Sequence, residues 1–277
     1  MKKQIQRKSI FLILISLVLL FTSCASNDIS NIASNTEVGS TIKEERKKGT
    51  GKIYLYGEVH GVPMIHEKEL ELWKNYYNNH GMRHLFIETS YYKAQFLNMW
   101  MQAEDDTLLD LLCKELEESG ASWIQEKKVF YQKIKEECPE TIFHGTDVGH
   151  QYDTTGKRYL ANLRAMGMIH SKEYELAQLA IEQGKTFYDS EGDALMSNAV
   201  YRENMMTENF IREYESLENE DIMGIYGGAH TEIDALDYTT NQVPCMANQL
   251  YQKYGEKIYT EALWKWYELE MNTQVVE

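Results

Sequence analysis

Short runs of β-forming residues alternate along this chain with longer stretches whose apolar residues follow a helical period. Four runs predict strands, because each is brief, rich in Ile, Tyr, Phe or Val, and followed by glycine or polar residues. They are KIYLYGE (52–58), HLFIET (84–89), TIFHGTDV (141–148) and DIMGIYGGAH (221–230), and a fifth β-rich run is KIYTEALWKWYEL (257–269). Strands that alternate with helices imply parallel pairing through crossovers, so we predict an α/β layered domain with a mainly parallel central sheet flanked by helices.

The stretches between these runs carry helix signals. MIHEKELELWKNYYNNHG (64–81) ends in a glycine suited to a left-handed helix cap, and SKEYELAQLAIEQG (171–184) opens on Ser171 as its N-cap. The longest is GDALMSNAVYRENMMTENFIREYESL (192–217). The chain has only three prolines, so little prevents these helices from running long.

The N-terminal residues predict export. A basic start precedes the apolar run IFLILISLVLLF, which is too short and wrongly flanked for a stable spanning helix, so residues 1–23 read as a signal peptide. The following FTSC resembles a bacterial lipobox and predicts lipidation of Cys24 on the outer face of a bacterial membrane, with ordinary cleavage and a free Cys24 as the alternative. Residues 24–50 lack an apolar period and predict a flexible tether, which leaves residues 51–277 as one domain.

Charge and cysteine content narrow the classes of partner. The formal charge of −15 becomes −19 without residues 1–23, which hold four basic residues and no acid. A surface this acidic repels phosphates, which excludes nucleic acid, and membrane attachment must come from the lipid rather than from a basic patch. Cys113, Cys138 and Cys245 form an odd set without metal-type spacing; one disulfide is compatible with them, and its pairing stays open.

Four of the predicted strands end in polar residues of a specific kind. The endings are Gly57-Glu58-Val59-His60, Glu88-Thr89-Ser90, Gly145-Thr146-Asp147 and Gly227-Gly228-Ala229-His230. Because ligands bind outside the carboxyl ends of parallel strands, we predict that two imidazoles and three carboxylates share one site there. Each has a structural alternative: Glu88 could cap the next helix, Asp147 could orient its own turn, and His230 could be a turn residue.

The long helix adds a cation to this set. Arg202 and Asn209 stand seven residues apart, which places both on nearly one helical face. We expect Arg202 to reach the carboxylates, where it would hold an acid ionised or bind a substrate oxyanion, and Asn209 to line the site. The alternative for Arg202 is a surface ion pair with Glu203 or Glu208.

The remaining histidines carry weaker signals. His66 is near His60 in sequence and is expected to line the site, although HEKEL lacks the second histidine of a zinc-protease helix. His144 and His150 flank Asp147, and only their orientation decides between them.

Known motifs exclude several enzyme classes and favour one superfamily. The chain has no G-x-S-x-G elbow, Walker-type loop or G-x-G-x-x-G, so serine-hydrolase, P-loop and dinucleotide sites lack their key parts. It does have, in order, a strand ending in G-E-x-H, a glutamate ending the next strand, an Arg-x-x-x-Met-x-x-Asn helix and a late G-x-x-H. This pattern, from about Ile53 to His230, resembles the superfamily of erythromycin esterase-like, ChaN-like and TraB/Tiki-like proteins.

The resemblance implies both a site and a choice of functions. It puts the family's site positions at Glu58, His60, Glu88 and His230 and its helix motif at Arg202 and Asn209. Erythromycin esterases have two residues between the acid and the histidine, whereas GEVH has one. That spacing is closer to ChaN-like lipoproteins, which bind haem, and to TraB/Tiki-like proteins, which are regarded as metal-dependent peptidases.

Two functions follow as expectations. The first is a surface-tethered hydrolase of ester or amide bonds in a small-molecule or peptide substrate. In it, His60 or His230 takes a proton from water, Glu58 and Glu88 orient the imidazole or share the proton, and Arg202 stabilises the oxyanion. In a variant, His60, His230 and a carboxylate hold Zn, Mn or Fe. The second is a lipoprotein that binds haem or another iron compound through His or Tyr. An interaction protein on an inherited enzyme fold is the third reading.

Overall fold

The structure, a computed structural model, describes residues 49–118, 125–189 and 194–274. The strands are β1 (Ile53–Glu58), β2 (His84–Ser90), β3 (Ile142–Asp147), β4 (Ile222–Gly227) and β5 (Ile258–Ala262). The helices are α1 (Pro63–His80), α2 (Tyr91–Met101), α3 (Thr107–Glu118), α4 (Gln125–Glu137), α5 (Lys157–Ala165), α6 (Lys172–Asp189), α7 (Ala194–Tyr214), α8 (Met246–Tyr254) and α9 (Leu263–Gln274).

The strands form one parallel sheet in the order β3-β2-β4-β1-β5. This confirms the predicted α/β layered fold with a parallel central sheet. The register sets Glu58 of β1 beside Gly227 of β4, and Ser90 of β2 beside Asp147 of β3. The carboxyl ends of four strands therefore meet along one edge, which is where the polar strand endings lie.

Both faces of the sheet are covered by helices, which explains the near-continuous apolar strands. In β1, Leu55 packs into the core cluster with α7 and α8, whereas its neighbour Tyr56 belongs to the cluster on the opposite face. The opposite cluster also holds Trp73 of α1 and Trp100 of α2, both fully buried. Adjacent strand residues thus point to opposite faces, as a pleated strand requires.

Helix ends confirm two signals read from the sequence. Helix α1 ends at His80, and Gly81 adopts the left-handed conformation with φ of 71°. The backbone N–H of Tyr174 donates to the hydroxyl of Ser171 at 3.2 Å, so Ser171 caps α6. Helix α6 continues through Gly184 to Asp189, beyond the predicted end. The fifth β-rich run divides into β5 and α9.

Other predictions concern the N-terminal segments, membrane spans and the cysteines. The predicted signal peptide, Cys24 and all but the last two residues of the tether lie outside the described residues, which belong to one compact unit. Within the described ranges, no helix is both long enough and apolar enough to cross a bilayer. Cys113, Cys138 and Cys245 are buried free thiols.

Close packing at Gly184 yields a stability prediction. Alanine normally stabilises a helix interior relative to glycine. A Cβ at Gly184, however, would lie 2.2 Å from the carbonyl oxygen of Gly149, in the segment that follows β3. We expect Gly184→Ala to lower the free energy of unfolding by about 1–3 kcal/mol in chemical denaturation. The control Gln178→Ala, at an exposed position of α6, should change it little; a stabilised Gly184→Ala variant would contradict this packing.

Candidate active site

The guanidinium of Arg202 lies among the polar strand endings. It binds Asp147 with two hydrogen bonds, from Nε to Oδ1 at 3.0 Å and from Nη2 to Oδ2 at 2.7 Å. Nη2 also donates to Oε1 of Glu88 at 2.5 Å. Arg202 therefore joins α7 to the ends of β2 and β3, as one of the two readings of the sequence predicted.

Both carboxylates held by Arg202 are ionised. Burial would raise the pKa of Asp147, but the charge of Arg202 and the imidazole of His150 hold it well below its ordinary value. Burial acts in the same direction on Glu88, and His230 and Arg202 lower its pKa overall. Glu88 also accepts the backbone N–H of Gly227 at 2.6 Å. Glu88 is therefore part of the ionic cluster rather than a cap for α2.

His60 is the imidazole most open to solvent in this group, with half of its side chain exposed. Its Nδ1 lies 2.8 Å from Oε1 of Glu58, and its Nε2 lies 3.9 Å from Oε2 of Glu88. The hydrogen bond to Glu58 is the main reason that the pKa of His60 is raised, against the opposing effect of burial. A Cβ at Gly227 would lie 3.0 Å from Nε2 of His60, so a residue without a side chain keeps this nitrogen accessible.

Behind His60, Glu58 belongs to a buried cluster with His66 and Glu69. Nδ1 of His66 lies 2.9 Å from Oε2 of Glu69 and 3.7 Å from Oε2 of Glu58. Burial and the adjacent Glu58 raise the pKa of Glu69 well above its ordinary value, which favours the protonated form of Glu69 beside Glu58. Burial likewise lowers the pKa of His66 to about 4, which leaves it neutral.

Lys127 of α4 supplies the positive charge that this cluster needs. Its ammonium lies 3.5 Å from Oε1 of Glu58. Although burial raises the pKa of Glu58, Lys127 and His60 lower it below its ordinary value, so Glu58 is ionised. Glu58 thus accepts a hydrogen bond from His60 while a lysine balances its charge.

His230 is the more enclosed of the two strand-end histidines. Its Nδ1 lies 2.7 Å from Oε2 of Glu203, and its Nε2 lies 3.7 Å from Oε1 of Glu88 and 3.4 Å from Nη1 of Arg202. Burial would lower the pKa of His230, but Glu88 and Glu203 raise it overall. His230 therefore lies in contact with both members of the Arg202–Glu88 pair.

A third imidazole, His150, joins the site through Asp147. Its Nε2 lies 2.9 Å from Oδ2 of Asp147, and its Nδ1 contacts the hydroxyl of Tyr188. His144 instead contacts His84 at 2.9 Å and Glu213 at 3.3 Å, and it stacks on Phe86 away from the sheet edge. Orientation thus selects His150 over His144.

A cavity of about 440 Å³ lies at the carboxyl edge of the sheet. Its lining includes Glu58, His60, Glu88, Asp147, His150 and Arg202. Glu58, His60, Glu88 and Arg202 also line an adjoining depression that contains His230. The five residues predicted as catalytic are therefore together, and Asp147 is with them. The cavity wall further includes Glu69, Lys93, Lys127, His150 and Tyr188, which sequence reasoning did not assign.

Two residues expected to line the site support it from behind. The amide of Asn209 donates to the carbonyl of Thr146 at 3.0 Å and to Gln183, so it fixes the end of β3. His66 lies beneath the cavity, in contact with Glu58 and Glu69, and is only 3% exposed. Glu69 follows His66 by three residues on α1, which was the one sequence signal for this cluster.

A metal at the predicted His60–His230 site requires donor atoms that lie close together. Among the described residues, the group whose donor atoms lie within 4.8 Å of one another is Glu58, His66 and Glu69, and it does not include His60 or His230. The predicted His60–His230 pair therefore does not fit a metal in this arrangement, and Arg202 already contacts His230 and Glu88. Glu58, His66 and Glu69 could hold a divalent cation, and the proposed hydrolysis does not depend on one.

Comparisons with known proteins give the fold but no family. No protein-family model matches this chain, and no curated protein matches it. A Bacillus cereus protein solved as a structural genomics target aligns with a TM-score of 0.54 at 14% identity, over 77% of this chain and 65% of its own. The match thus spans just under two thirds of that longer chain.

Two further solved structures align equally well. One is a mutant of erythromycin esterase EreC in its open conformation, with a TM-score of 0.52 at 12% identity over 78% of this chain and 70% of its own. The chain shares the fold of an erythromycin esterase. The other is a succinoglycan biosynthesis protein, with a TM-score of 0.53 at 15% identity over 76% and 65% of the two chains. At these identities the likeness is one of fold.

The arginine cluster predicts a large effect on stability. Arg202→Met leaves two buried carboxylates without their counter-charge, so we expect the free energy of unfolding at neutral pH to fall by about 3 kcal/mol or more in chemical denaturation. The control Lys114→Met breaks an exposed pair with Glu118 and should cost less than about 1 kcal/mol.

The loss of stability expected for Arg202→Met depends on pH. The pKa values of Glu88 and Asp147 are lowered in the folded protein, so their stabilisation is present above their ordinary values, 4.5 and 3.8, and is lost as the pH falls below them. The difference between wild type and Arg202→Met should therefore narrow in acid. A pH-independent difference would contradict the assigned ionisation.

Proposed function

We propose that the protein is a hydrolase of ester or amide bonds that activates water with His60. The observation that carries this proposal is the geometry of one dyad. Glu58 holds Nδ1 of His60 at 2.8 Å, which directs the half-exposed Nε2 toward the cavity and Glu88. An imidazole oriented by a carboxylate and open to solvent is the arrangement of a general base.

The surrounding charges fit the steps of hydrolysis. Nε2 of His60 takes a proton from water, and the hydroxide attacks the carbonyl carbon of the substrate. Arg202, with His230 beside it, supplies positive charge for the carbonyl oxygen as that oxygen becomes negative. The C–O or C–N bond then breaks, and the imidazolium of His60 returns its proton to the leaving group. Glu88 faces both imidazoles and stabilises their protonated forms.

The fold is consistent with this assignment. One solved structure with the same fold is named as an erythromycin esterase, which makes hydrolysis a chemistry known on this scaffold. The substrate of that enzyme does not carry over at 12% identity. The proposal therefore rests on the His60–Glu58 dyad and its neighbours, with the fold as support.

Substitution of the base tests the proposal directly. The full chain should hydrolyse a chromogenic ester or peptide, and His60→Ala should lower kcat/KM by at least about 100-fold, because the proton acceptor is lost. Glu88→Gln should also abolish activity. His170→Ala, at an exposed position remote from the sheet edge, is the matched control and should retain it. Unchanged activity in both site variants would sink the assignment.

The pH profile provides a second test. Only neutral His60 accepts a proton, so kcat/KM should rise with pH through the raised pKa of His60, with its midpoint above the ordinary 6.5. The hydrogen bond to Glu58 is the main cause of that raised pKa, so Glu58→Gln should move the midpoint to lower pH and also slow the reaction. The Lys114→Met control should keep the wild-type profile. A midpoint unmoved by Glu58→Gln would argue for a different base.

Cellular context and the second function remain predictions. Lipid attachment at Cys24 would place the domain on the outer face of a bacterial membrane, and mass determination of the N-terminal peptide tests this. Binding of haem or another iron compound is tested by mixing with haemin: a Soret shift that disappears on substitution of one His or Tyr would favour it. A protein with esterase activity and no Soret shift would favour hydrolysis.

A further inference from the structure

Lys93 lines the cavity without a partner in the described part of the chain. It lies in the first turn of α2, directly after the end of β2, and its side chain is only 6% exposed. No hydrogen bond or ion pair joins its ammonium to any described residue. A buried ammonium without a partner is costly, so its presence beside a cavity points to a ligand.

The other ionised side chains of the cavity wall each contact a group of opposite charge. Arg202 is hydrogen-bonded to both Glu88 and Asp147, and Lys127 lies 3.5 Å from Glu58, while the pKa of Glu69 is raised well above its ordinary value. Glu115, a further acid whose charge acts on Lys93, is bound by Arg158 and by the hydroxyl of Thr155. Lys93 is therefore the cation in this wall that lacks a closely bound counter-charge among the described residues.

The local backbone and the adjacent packing favour a small anion on an apolar group. Helix α2 has no acidic residue in its first turn, so the positive end of the helix dipole adds to the ammonium. On its other side Lys93 borders a small cavity of about 30 Å³, lined chiefly by apolar side chains: Leu97, Leu109, Leu112, Cys113 and Leu116.

We propose that Lys93 binds a carboxylate of the substrate, so that the preferred substrate is an ester or amide carrying a carboxylate on a short apolar chain. This proposal names the substrate class of the proposed hydrolase, and it rests on that proposed function. A singly charged carboxylate on an apolar chain suits one ammonium without a contacting partner, and its apolar neighbours, better than a doubly charged phosphate does. The chain as a whole carries a net negative charge, which repels anions. Binding of an anionic substrate therefore depends on the local positive charge of Lys93.

The protonation of Lys93 is compatible with this role. Burial lowers its pKa to about 8, and Asp147 and Glu115 oppose that effect. The amine is thus mostly protonated at neutral pH, and a bound carboxylate would stabilise the charged form.

Paired esters test the proposal through activity. Wild-type full-length chain should prefer para-nitrophenyl hemiglutarate, which carries a carboxylate, over the neutral para-nitrophenyl valerate, compared by kcat/KM. Lys93→Met, which keeps an unbranched chain and removes the charge, should reduce that preference by about 10-fold or more through a higher KM for the hemiglutarate. Lys93→Gln is a second variant should the first fail to fold. Lys133→Met, at an exposed ion pair on α4, should keep the wild-type preference.

Direct binding separates this proposal from the hydrolase proposal. Calorimetric titration of the full chain with valerate, and separately with inorganic phosphate, needs no turnover. Valerate binding that weakens about 10-fold or more in Lys93→Met but not in Lys133→Met supports the carboxylate subsite, even if no ester is hydrolysed. Equal valerate affinity in wild type and Lys93→Met, binding of phosphate alone, or no binding of either anion would overturn it.

Discussion

The partly buried guanidinium of Arg202 forms the contacts on which the rest of the site depends. It forms a bidentate contact with Asp147 and a further bond to Glu88, which joins α7 to the ends of β2 and β3. Two carboxylates so close together and so enclosed cannot both stay ionised without a counter-charge. The same cation also contacts His230, so one residue contacts side chains at the ends of three strands.

Around this cluster the two strand-end histidines have different environments. His60 is half exposed and bound to Glu58, whereas His230 is enclosed between Glu203, Glu88 and Arg202. The open imidazole is suited to exchange protons with water, and the enclosed one to hold positive charge. Glu58 connects His60 to the buried Glu69. The pKa of Glu69 is raised well above its ordinary value, whereas Lys127 and His60 keep Glu58 ionised. The solvent-facing imidazole of His60 is thus held by Glu58, which lies among the buried side chains of His66 and Glu69.

Much of this arrangement could be predicted from the sequence, for definite reasons. The alternation of β-rich runs and amphipathic helices implied parallel strands, and parallel strands must bring their carboxyl ends to one edge. The shared position of Glu58, Glu88, Asp147 and His230 follows from that rule, whereas helical spacing only placed Arg202 and Asn209 on one face and left a surface ion pair as the alternative for Arg202. The contributions of Lys93 and Lys127 could not be predicted, since both belong to helices whose position on the sheet is set by tertiary packing. Asn209 shares the face of Arg202, yet its distance along α7 carries it past the cavity to the backbone of β3.

The most direct measurement of the central claim is the ionisation of the two acids held by Arg202. Carboxyl carbon shifts in NMR spectra of the labelled full chain report each side chain as pH is varied. The account predicts that Glu88 and Asp147 stay ionised in the wild type to below their ordinary pKa values, and that at least one takes up a proton near neutral pH in Arg202→Met. Identical titration of both carboxyls in wild type and variant would contradict it.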